Sequence, residues 1–208
     1  MTDRQVFSQL FLKAQGLACG RGDNVLASGI AIDLAPGAGL LLRGPNGSGK
    51  STLLLTLAGL LPKLDGTIEF VGRDPEAGPF LHYCGHKNAV RPRLSVAQTL
   101  DFWIAINGDH GLARDAALAE VGLGKAANLD AGYLSAGQQR RLALARLLVS
   151  PRPLWLLDEP SAALDRDGAA LLARLLAHHL AQGGLAIIAT HDDIAVPGLA
   201  TLTLGARP

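Results

Sequence analysis

The sequence predicts an α/β fold in which a parallel sheet forms the core and a helical subdomain is inserted into it. The wholly apolar segment 154–157 has the composition of a strand that is buried on both faces, as in parallel sheets, and 185–190 is predicted to be a second buried strand. Helical patterns alternate with these strands, which is typical of α/β sheets. Between about residues 87 and 150 the pattern is mainly helical. The 208 residues, 49% of them hydrophobic, suffice for a single domain over 1–208.

The first third of the chain is predicted to form strands, with an antiparallel β element near the N-terminus. Turn sequences at 35–37 (Ala-Pro-Gly) and 65–66 (Asp-Gly) separate apolar segments. A proline two residues after the first predicted helix ends that helix. The predicted elements are strands at 25–34, 39–43 and 67–71 and a helix over 53–60.

Two capping boxes predict where helices of the inserted subdomain begin. Ser95 with Gln98, and Ser135 with Gln138, have the spacing at which each side chain satisfies the other residue's backbone N–H group. These helices are expected to run through residues 106 and 149, with another over 112–121. After residue 150 the predicted elements are strands at 154–157, 185–190 and 199–204, the last at a sheet edge, and a helix over 168–180.

A glycine-rich loop joins the strand at 39–43 to the following helix. Its residues are Gly44, Pro45, Asn46, Gly47, Ser48, Gly49, Lys50, Ser51 and Thr52. Their spacing fits the P-loop pattern. Glycines let backbone N–H groups turn toward phosphate oxygens, and the helix N-terminus adds its positive dipole end. Lys50 would donate to the phosphates and Ser51 would bind Mg²⁺. An ordinary strand–helix turn is the alternative, which the flanking elements disfavour.

Two acids, Asp158 and Glu159, follow the apolar strand at 154–157. The carboxyl ends of parallel strands lie on the ligand side of an open α/β sheet. Asp158 is therefore predicted to hold Mg²⁺, directly or through water, and Glu159 to accept a proton from the attacking water. Alone, the pair would fit an exposed acidic turn. Together with the P-loop it predicts hydrolysis of a nucleoside triphosphate.

Three further segments resemble those of ABC-transporter ATPases. Residues 134–138, Leu-Ser-Ala-Gly-Gln, resemble the LSGGQ signature of that family. Residues 161–165 resemble its D-loop, and 190–192, Thr-His-Asp, resemble its H-loop. The motifs stand in the family's order over about 40–192. The resemblance implies a P-loop NTPase fold of the ABC type, with ATP as the nucleotide.

The same resemblance assigns roles to individual residues. It implies that Lys50, Glu159 and His191 are catalytic, with His191 positioning the γ-phosphate. It also implies that Ser135 and Gly137 complete the P-loop site of a second copy of the chain. That second site is also physically plausible, because a capped helix N-terminus with a nearby glycine can approach an anion closely.

Two positions depart from the common pattern of the family. His86 stands where the Q-loop glutamine is usual. Its neutral ring could offer a nitrogen to Mg²⁺ or couple the site to a membrane partner, or the side chain could simply lie in a surface loop. Near residues 19–23 the usual adenine-stacking aromatic is missing. Arg21 either stacks on the base or is solvated.

These departures, with Leu-Ala-Cys at 17–19 and the extended signature at 134–141, are similar to the CcmA type of ATP-binding subunit. That resemblance implies cytochrome c maturation, through haem export or release of a haem-loaded chaperone. It implies a CcmB-like integral membrane subunit, two copies of each chain, and a wider haem-handling complex. The alternatives are an ABC ATPase for a different cargo or a soluble, non-transport ABC ATPase.

The composition and the apolar pattern disfavour several other classes of protein. The net charge of +1 and the aromatic content of 4% disfavour a nucleic-acid partner. No apolar run reaches the ~18 residues of a membrane-spanning helix, and no signal peptide is expected. Two cysteines are too few for a disulfide scaffold, so a reducing cytoplasm is expected. The implied location is peripheral, on the cytoplasmic face of a bacterial inner membrane.

Other polar groups are interpreted as structural or solvated rather than functional. Cysteine and histidine two residues apart do not make a zinc site, and adjacent helical histidines point about a hundred degrees apart. The interpretations are a free thiol for Cys84, a partly exposed helix end for His178 and His179, and a solvated helix face for Arg140, Arg141 and Arg146. Contact of that arginine cluster with nucleotide or an acidic partner is the alternative.

Overall fold

A computed structural model describes residue 7, residues 9–22 and residues 24–205. The terminal parts of the predicted 1–208 domain, and Asp23 of the 19–23 segment, lie outside these residues. The strands are β1 Phe11–Arg21, β2 Asn24–Leu34, β3 Gly39–Arg43, β4 Asp65–Val71, β5 Leu81–Cys84, β6 Leu154–Asp158, β7 Leu185–Ala189 and β8 Ala200–Thr203. The α-helices are α1 Lys50–Leu57, α2 Val96–Asn107, α3 Arg114–Glu120, α4 Ala136–Val149 and α5 Arg166–Ala181. Short 3₁₀ turns lie at Pro75–Ala77, Gly124–Ala126 and Ala131–Tyr133.

The strands form two sheets, as the α/β prediction requires. An antiparallel sheet has the order β2-β1-β4, and a five-stranded parallel sheet has the order β5-β6-β7-β3-β8. β8 is an edge strand, as predicted. Helices α2, α3 and α4 pack on one another between β5 and β6 in sequence. The predicted α/β class, with an antiparallel element and helices interrupting a parallel sheet, is confirmed.

The parallel sheet divides the hydrophobic core into two clusters. All five residues of β6 are buried, and successive side chains point to opposite faces. Trp155 and Leu157 belong to the cluster shared with α2–α5. Leu154 and Leu156 belong to the cluster shared with α1 and the antiparallel sheet. Burial on both faces explains why the first four residues of this strand, 154–157, are apolar.

Several predicted boundaries shift, and two strands have no predicted counterpart. α1 ends at Leu57 rather than residue 60, because Gly59 adopts a left-handed φ of 72°. β4 begins at Asp65, so the predicted Asp65-Gly66 turn belongs to the strand. β1 was not predicted because register shifts between Ala14 and Gly20 break its alternation. β5 is only four residues long.

Both predicted capping boxes are present. Ser95 and Ser135 each accept from the backbone N–H three residues on, and the glutamine there accepts from the serine's own N–H. These contacts satisfy N–H groups that a helix N-terminus leaves unpaired. Helices α2 and α4 therefore begin where the sequence predicts.

The interpretation of His179 as partly exposed is wrong. Its ring is 2% exposed and stacks on Trp155 with 3.9 Å between ring centroids. His179 Nε2 lies 3.0 Å from the Leu185 carbonyl oxygen. Burial lowers the pKa of His179 to about 4. Its neighbour His178 is exposed, as expected.

No helix within the described ranges is long and apolar enough to span a bilayer.

Stability should fall as the pH drops from about 6.5 towards 4, because unfolded histidine gains a proton near 6.5 while buried His179 stays neutral until about 4. His179→Phe keeps an aromatic ring against Trp155 and should remove ~1.4 kcal/mol per pH unit from the slope below pH 6. Urea unfolding at pH 7, 6 and 5 measures this. The matched control is exposed His178→Gln, which should keep the wild-type slope. Identical slopes for His179→Phe and wild type would contradict the assignment.

Candidate functional site

The glycine-rich loop lies between β3 and α1, at the carboxyl edge of the parallel sheet. Lys50 is 8% exposed, and its Nζ donates to the carbonyl oxygens of Gly44 (2.7 Å) and Pro45 (3.1 Å). The ammonium group therefore lies over the loop that was predicted to hold phosphates. Ser51 and Thr52 follow in the first turn of α1, where backbone N–H groups are unpaired.

Two loop glycines occupy conformations and spaces that other residues cannot share. Gly49 has φ 97°, and a Cβ there would lie 3.1 Å from Cβ of Leu26. Gly44 has φ 137°, and a Cβ there would lie 2.3 Å from the carbonyl oxygen of Leu204. The glycines are needed for close backbone packing as well as for the turn.

Asp158 ends β6 and is 2% exposed. Among the described residues its Oδ2 has no hydrogen-bond partner. A buried carboxylate oxygen without a partner is costly unless something neutralises it. A magnesium ion would fit this position, because Mg²⁺ prefers oxygen ligands such as one carboxylate and a hydroxyl together with phosphate oxygens. Ser51 lines the same cavity and offers that hydroxyl.

Tyr83 is a neighbour of Asp158 that the sequence did not single out. Burial and the Asp158 carboxylate raise the pKa of its phenol to about 12. Tyr83 therefore stays neutral and supplies no second negative charge near Asp158. Its only sequence signal is its position on β5, the strand paired with β6.

Glu159 and His191 come together from the ends of two adjacent strands. The N–H of Glu159 donates to the Ala189 carbonyl oxygen at the end of β7 (2.7 Å). His191 Nε2 lies 3.6 Å from Glu159 Oε1, 2.9 Å from Asn46 Oδ1 and 3.3 Å from Lys50 Nζ. Asn46 Oδ1 and Glu159 Oε1 would accept a proton from Nε2, whereas the Lys50 ammonium would donate to an unprotonated Nε2, so the tautomer depends on which partner is engaged.

One cavity of about 510 Å³ collects most of the predicted residues. It is lined by Asn46, Gly47, Gly49, Lys50, Ser51, Thr52, His86, Asp158 and Glu159, with Arg21 and Leu26 also in its wall. Charged groups of both signs thus face one volume at a helix N-terminus. Such a place suits a polyphosphate and its cation.

His86 lines this cavity from the loop after β5. Its side chain is 69% exposed, and Nδ1 lies 4.0 Å from Asp158 Oδ2, beyond hydrogen-bond distance. Arg21, at the end of β1, is also exposed. Their predicted contacts with metal and base remain predictions.

Ser135 and Gly137 do not line the cavity. Ser135 is exposed at the N-terminus of α4. A Cβ at Gly137 would lie 2.7 Å from the carbonyl oxygen of Ala163, so a side chain there would collide with the segment after β6. The chain therefore presents a second helix N-terminus apart from its own phosphate loop.

The interpretation of the arginine cluster as a solvated helix face is wrong for two of its members. Arg140 is 2% exposed and Arg146 is 7% exposed. Arg141 is half-buried, with a side chain 20% exposed that pairs with exposed Asp165 at 2.8 Å. A helical signal for Arg140 was available, because it shares a face at i, i+4 and i+7 with Leu144 and Leu147, both buried.

Cys84 is a free thiol, as predicted, but it is buried. Its Sγ lies 3.0 Å from a guanidinium nitrogen of Arg146. The described residues include no group of three or more His, Cys, Asp or Glu side chains placed to hold a metal ion. A zinc site around Cys84 and His86 therefore has no support in the described part of the chain.

A second cavity, of about 490 Å³, lies between the end of α4 and α5. Its lining is mainly apolar, with Leu147, Trp155 and Leu175 among the residues. None of the predicted site residues contributes to it. The chemistry is therefore concentrated in the first cavity.

Comparison with known proteins shows the family of the chain. The family model for ABC transporters matches residues 27–162. The cytochrome c biogenesis ATP-binding export protein CcmA of Paramagnetospirillum magneticum is 48% identical over 200 residues, 92% of each chain. The protein of the same description from Paracoccus denitrificans is 48% identical over 93% of this chain and 89% of its own.

A solved structure supports the fold independently. A Pyrococcus furiosus protein described as an ABC transporter ATP-binding protein matches with a TM-score of 0.81 at 25% identity, over 93% of this chain and 97% of its own. Fold and site together define an ATP-binding protein of the ABC transporter class, an ATP hydrolase. The chain belongs to the family of CcmA cytochrome c biogenesis ATP-binding export proteins.

Gly49→Ala should weaken ATP binding by about tenfold or more, because the added Cβ meets Leu26 and the left-handed φ is strained. Isothermal titration calorimetry with ATP measures the Kd. Gly59→Ala at the other end of α1 is the matched control, since its φ is 72° and no atom lies within 4 Å of its Cβ. It should lower the unfolding free energy by ~1 kcal/mol and leave the Kd unchanged. Equal Kd values for the two variants would contradict this account of the loop.

Proposed function

We propose that this chain is the energy-coupling ATPase of a cytochrome c maturation transporter, and that the cavity of about 510 Å³ is its ATP site. The observation that carries the site assignment is the convergence of four groups. Lys50, Asp158, Glu159 and His191 all lie at the carboxyl edge of one parallel sheet, around one helix N-terminus. The first three line the cavity directly.

Each residue of the loop contributes to holding the triphosphate. The backbone N–H groups of the loop, Gly44–Thr52, and the dipole of α1 would stabilise the phosphate charge. Lys50 would exchange its two carbonyl acceptors for phosphate oxygens, because a charge-assisted contact is stronger than a neutral one. The catalytic effect comes mainly from positioning and from charge stabilisation.

Glu159 is proposed to act on the attacking water, and His191 is proposed to contact the transferred phosphate. Glu159 is 28% exposed at its side chain and faces the cavity, so it can reach water and accept a proton. His191 is held within 3.6 Å of Glu159 and 3.3 Å of Lys50. From there it can donate from Nε2 to a γ-phosphate oxygen.

Mg²⁺ is the proposed cofactor. Asp158 Oδ2, buried and without a partner among the described residues, and the hydroxyl of Ser51 would hold it. When bound, the ion supplies charge neutralisation between the phosphate oxygens. His86 is an alternative neighbour of the ion, since its Nδ1 lies 4.0 Å from Asp158 Oδ2.

A second copy of the chain is the proposed partner for hydrolysis. Ser135 and Gly137 lie at a capped helix N-terminus that is not part of the lining of the chain's own cavity. Because such a terminus favours an anion, it can complete the phosphate site of another copy. Head-to-tail pairing would then produce two complete sites, and ATP would hold the pair together.

Membrane coupling is proposed from the relatives, whose names describe export proteins of cytochrome c biogenesis. We infer a CcmB-like integral membrane subunit, two copies of each chain, and a peripheral position on the cytoplasmic face of the inner membrane. The complex would export haem or release a haem-loaded chaperone within a wider haem-handling assembly.

Glu159→Gln should lower kcat for ATP hydrolysis by about three orders of magnitude, because the amide cannot accept the proton. ATP binding should persist, and light scattering after gel filtration should show an ATP-dependent dimer. The matched control is Asp193→Asn, an exposed carboxylate paired only with Arg43 at 2.9 Å, which should leave turnover unchanged. Turnover near the wild-type rate in Glu159→Gln would show that another group is the base.

Purification from native membranes identifies the partner and the cargo class. A cytochrome c biogenesis membrane protein should co-purify with the tagged chain, and deletion of the gene should abolish c-type cytochromes without impairing fermentative growth. Recovery of a different transporter subunit, with normal cytochromes in the deletion strain, would assign the chain to another cargo.

A further inference from the structure

Arg140 binds together three segments that surround the ATP site. Its Nε donates to the Pro160 carbonyl oxygen (3.1 Å), and one terminal nitrogen donates to the carbonyl oxygens of Asp158 (2.8 Å) and Glu159. Its other terminal nitrogen donates to the Gly85 carbonyl oxygen (3.0 Å) and to Asn88 Oδ1 (2.9 Å). The side chain belongs to α4, the helix that Ser135 caps.

The guanidinium donates to carbonyl oxygens, and the nearby carboxylates of Asp158 and Glu159 also favour its charge. At 2% exposure it has left water, which is costly for a cation unless its donors are satisfied. Within the described residues its hydrogen-bond acceptors are four main-chain carbonyls and one amide. Five donors in a planar fork can hold several segments at fixed angles, which a lysine cannot do.

The segment that Arg140 holds is strained where the proposed base lies. Glu159 has φ 48°, a left-handed conformation that is unfavourable for a non-glycine residue. Such a conformation persists only when surrounding contacts enforce it. Arg140 supplies contacts to the carbonyls of Asp158, Glu159 and Pro160, before, at and after the strained residue.

The same side chain reaches the segment that carries His86. Gly85 and Asn88 flank that histidine, and both accept from Arg140. A displacement of α4 therefore moves a donor shared by residues 85–88 and 158–160. Ser135 and Gly137, the residues proposed to bind the other copy's ATP, lie within two turns of Arg140 on this helix.

We propose that Arg140 is a positioning residue that sets the backbone of Glu159 and transmits the position of the α4 N-terminus to it. The inference rests on the proposed role of Glu159 as the base. When α4 moves on engaging a second copy's nucleotide, Arg140 carries that movement to the base of its own chain. It is not among the residues that line the cavity of about 510 Å³, and it acts through the main chain.

Arg140→Lys keeps the positive charge but removes the planar guanidinium and its five N–H donors. In the complex in which the full chain is active, kcat should fall about a hundredfold, as expected for a misplaced catalytic group, while the Kd for ATP stays within about threefold. The matched control is Arg146→Lys on the same helix. Arg146 is also buried and donates to the Tyr83 carbonyl oxygen, but it touches none of residues 158–160. It should lower the melting temperature comparably and leave kcat within about threefold.

A double variant separates positioning from general loss of structure. In the Glu159→Gln background, adding Arg140→Lys should change the residual kcat by less than about twofold, because its effect operates through the base. Multiplicative loss in the double variant, or equal kcat losses for Arg140→Lys and Arg146→Lys, would overturn the inference about Arg140. Near-normal turnover of Glu159→Gln alone would instead overturn the proposed base.

A milder substitution decides the matter if Arg140→Lys does not fold. Asn88→Ala removes one acceptor of the guanidinium at a half-buried position. It should lower kcat several-fold at unchanged ATP Kd. An unchanged kcat in a folded Asn88→Ala protein would then count against the proposal.

Discussion

The parallel register of β3, β7 and β6 is the constraint on which the rest of the structure depends. These three adjacent strands all run in one direction, so their carboxyl ends lie side by side at one edge. Asp158 is paired with Ala189 in that register. The phosphate loop follows β3, Asp158 and Glu159 end β6, and His191 follows β7. Residues separated by more than a hundred positions in sequence therefore meet without any long excursion of the chain.

Burial of the strands determines which charged groups are available at that edge of the sheet. Buried apolar residues fill β7 and the first four positions of β6, and a charged residue appears only at the end of β6. Among the described residues a carboxylate oxygen of Asp158 has no hydrogen-bond partner, and the loop lysine is held by main-chain carbonyls. Both groups are thus available to a phosphate and its cation at small cost in competing contacts.

The sequence predicted best those features in which the residue type follows from a single physical requirement. The phosphate loop, the strand before Asp158 and the two capping boxes were predicted correctly in place, because each depends on local geometry or on burial of both faces. β1 was not predicted, since its bulges interrupt the alternation that identifies a strand. α1 ended early because Gly59 takes a left-handed turn that the apolar sequence around it conceals.

The misinterpreted side chains are two buried arginines and a buried, neutral histidine. Arg140, Arg146 and His179 were interpreted as wholly or partly solvated because charged and imidazole side chains are usually exposed. Their partners are main-chain carbonyl oxygens, which carry no residue-type signal in a sequence. Only the helical spacing of Arg140 with Leu144 and Leu147 indicated that its side chain faces the core. The hydrogen bonds of these side chains to main-chain carbonyls could therefore be identified only in the structure.

The central claim is that groups from these strand ends, and the α4 N-terminus of a second copy, surround one nucleotide. A crystal structure of the full wild-type chain with Mg²⁺ and a non-hydrolysable ATP analogue tests it most directly. The account predicts phosphate oxygens at Lys50, the metal ion beside Asp158, and Ser135 of a second copy at the γ-phosphate. A nucleotide bound elsewhere, or bound in this cavity with no second copy near its phosphates, would contradict it.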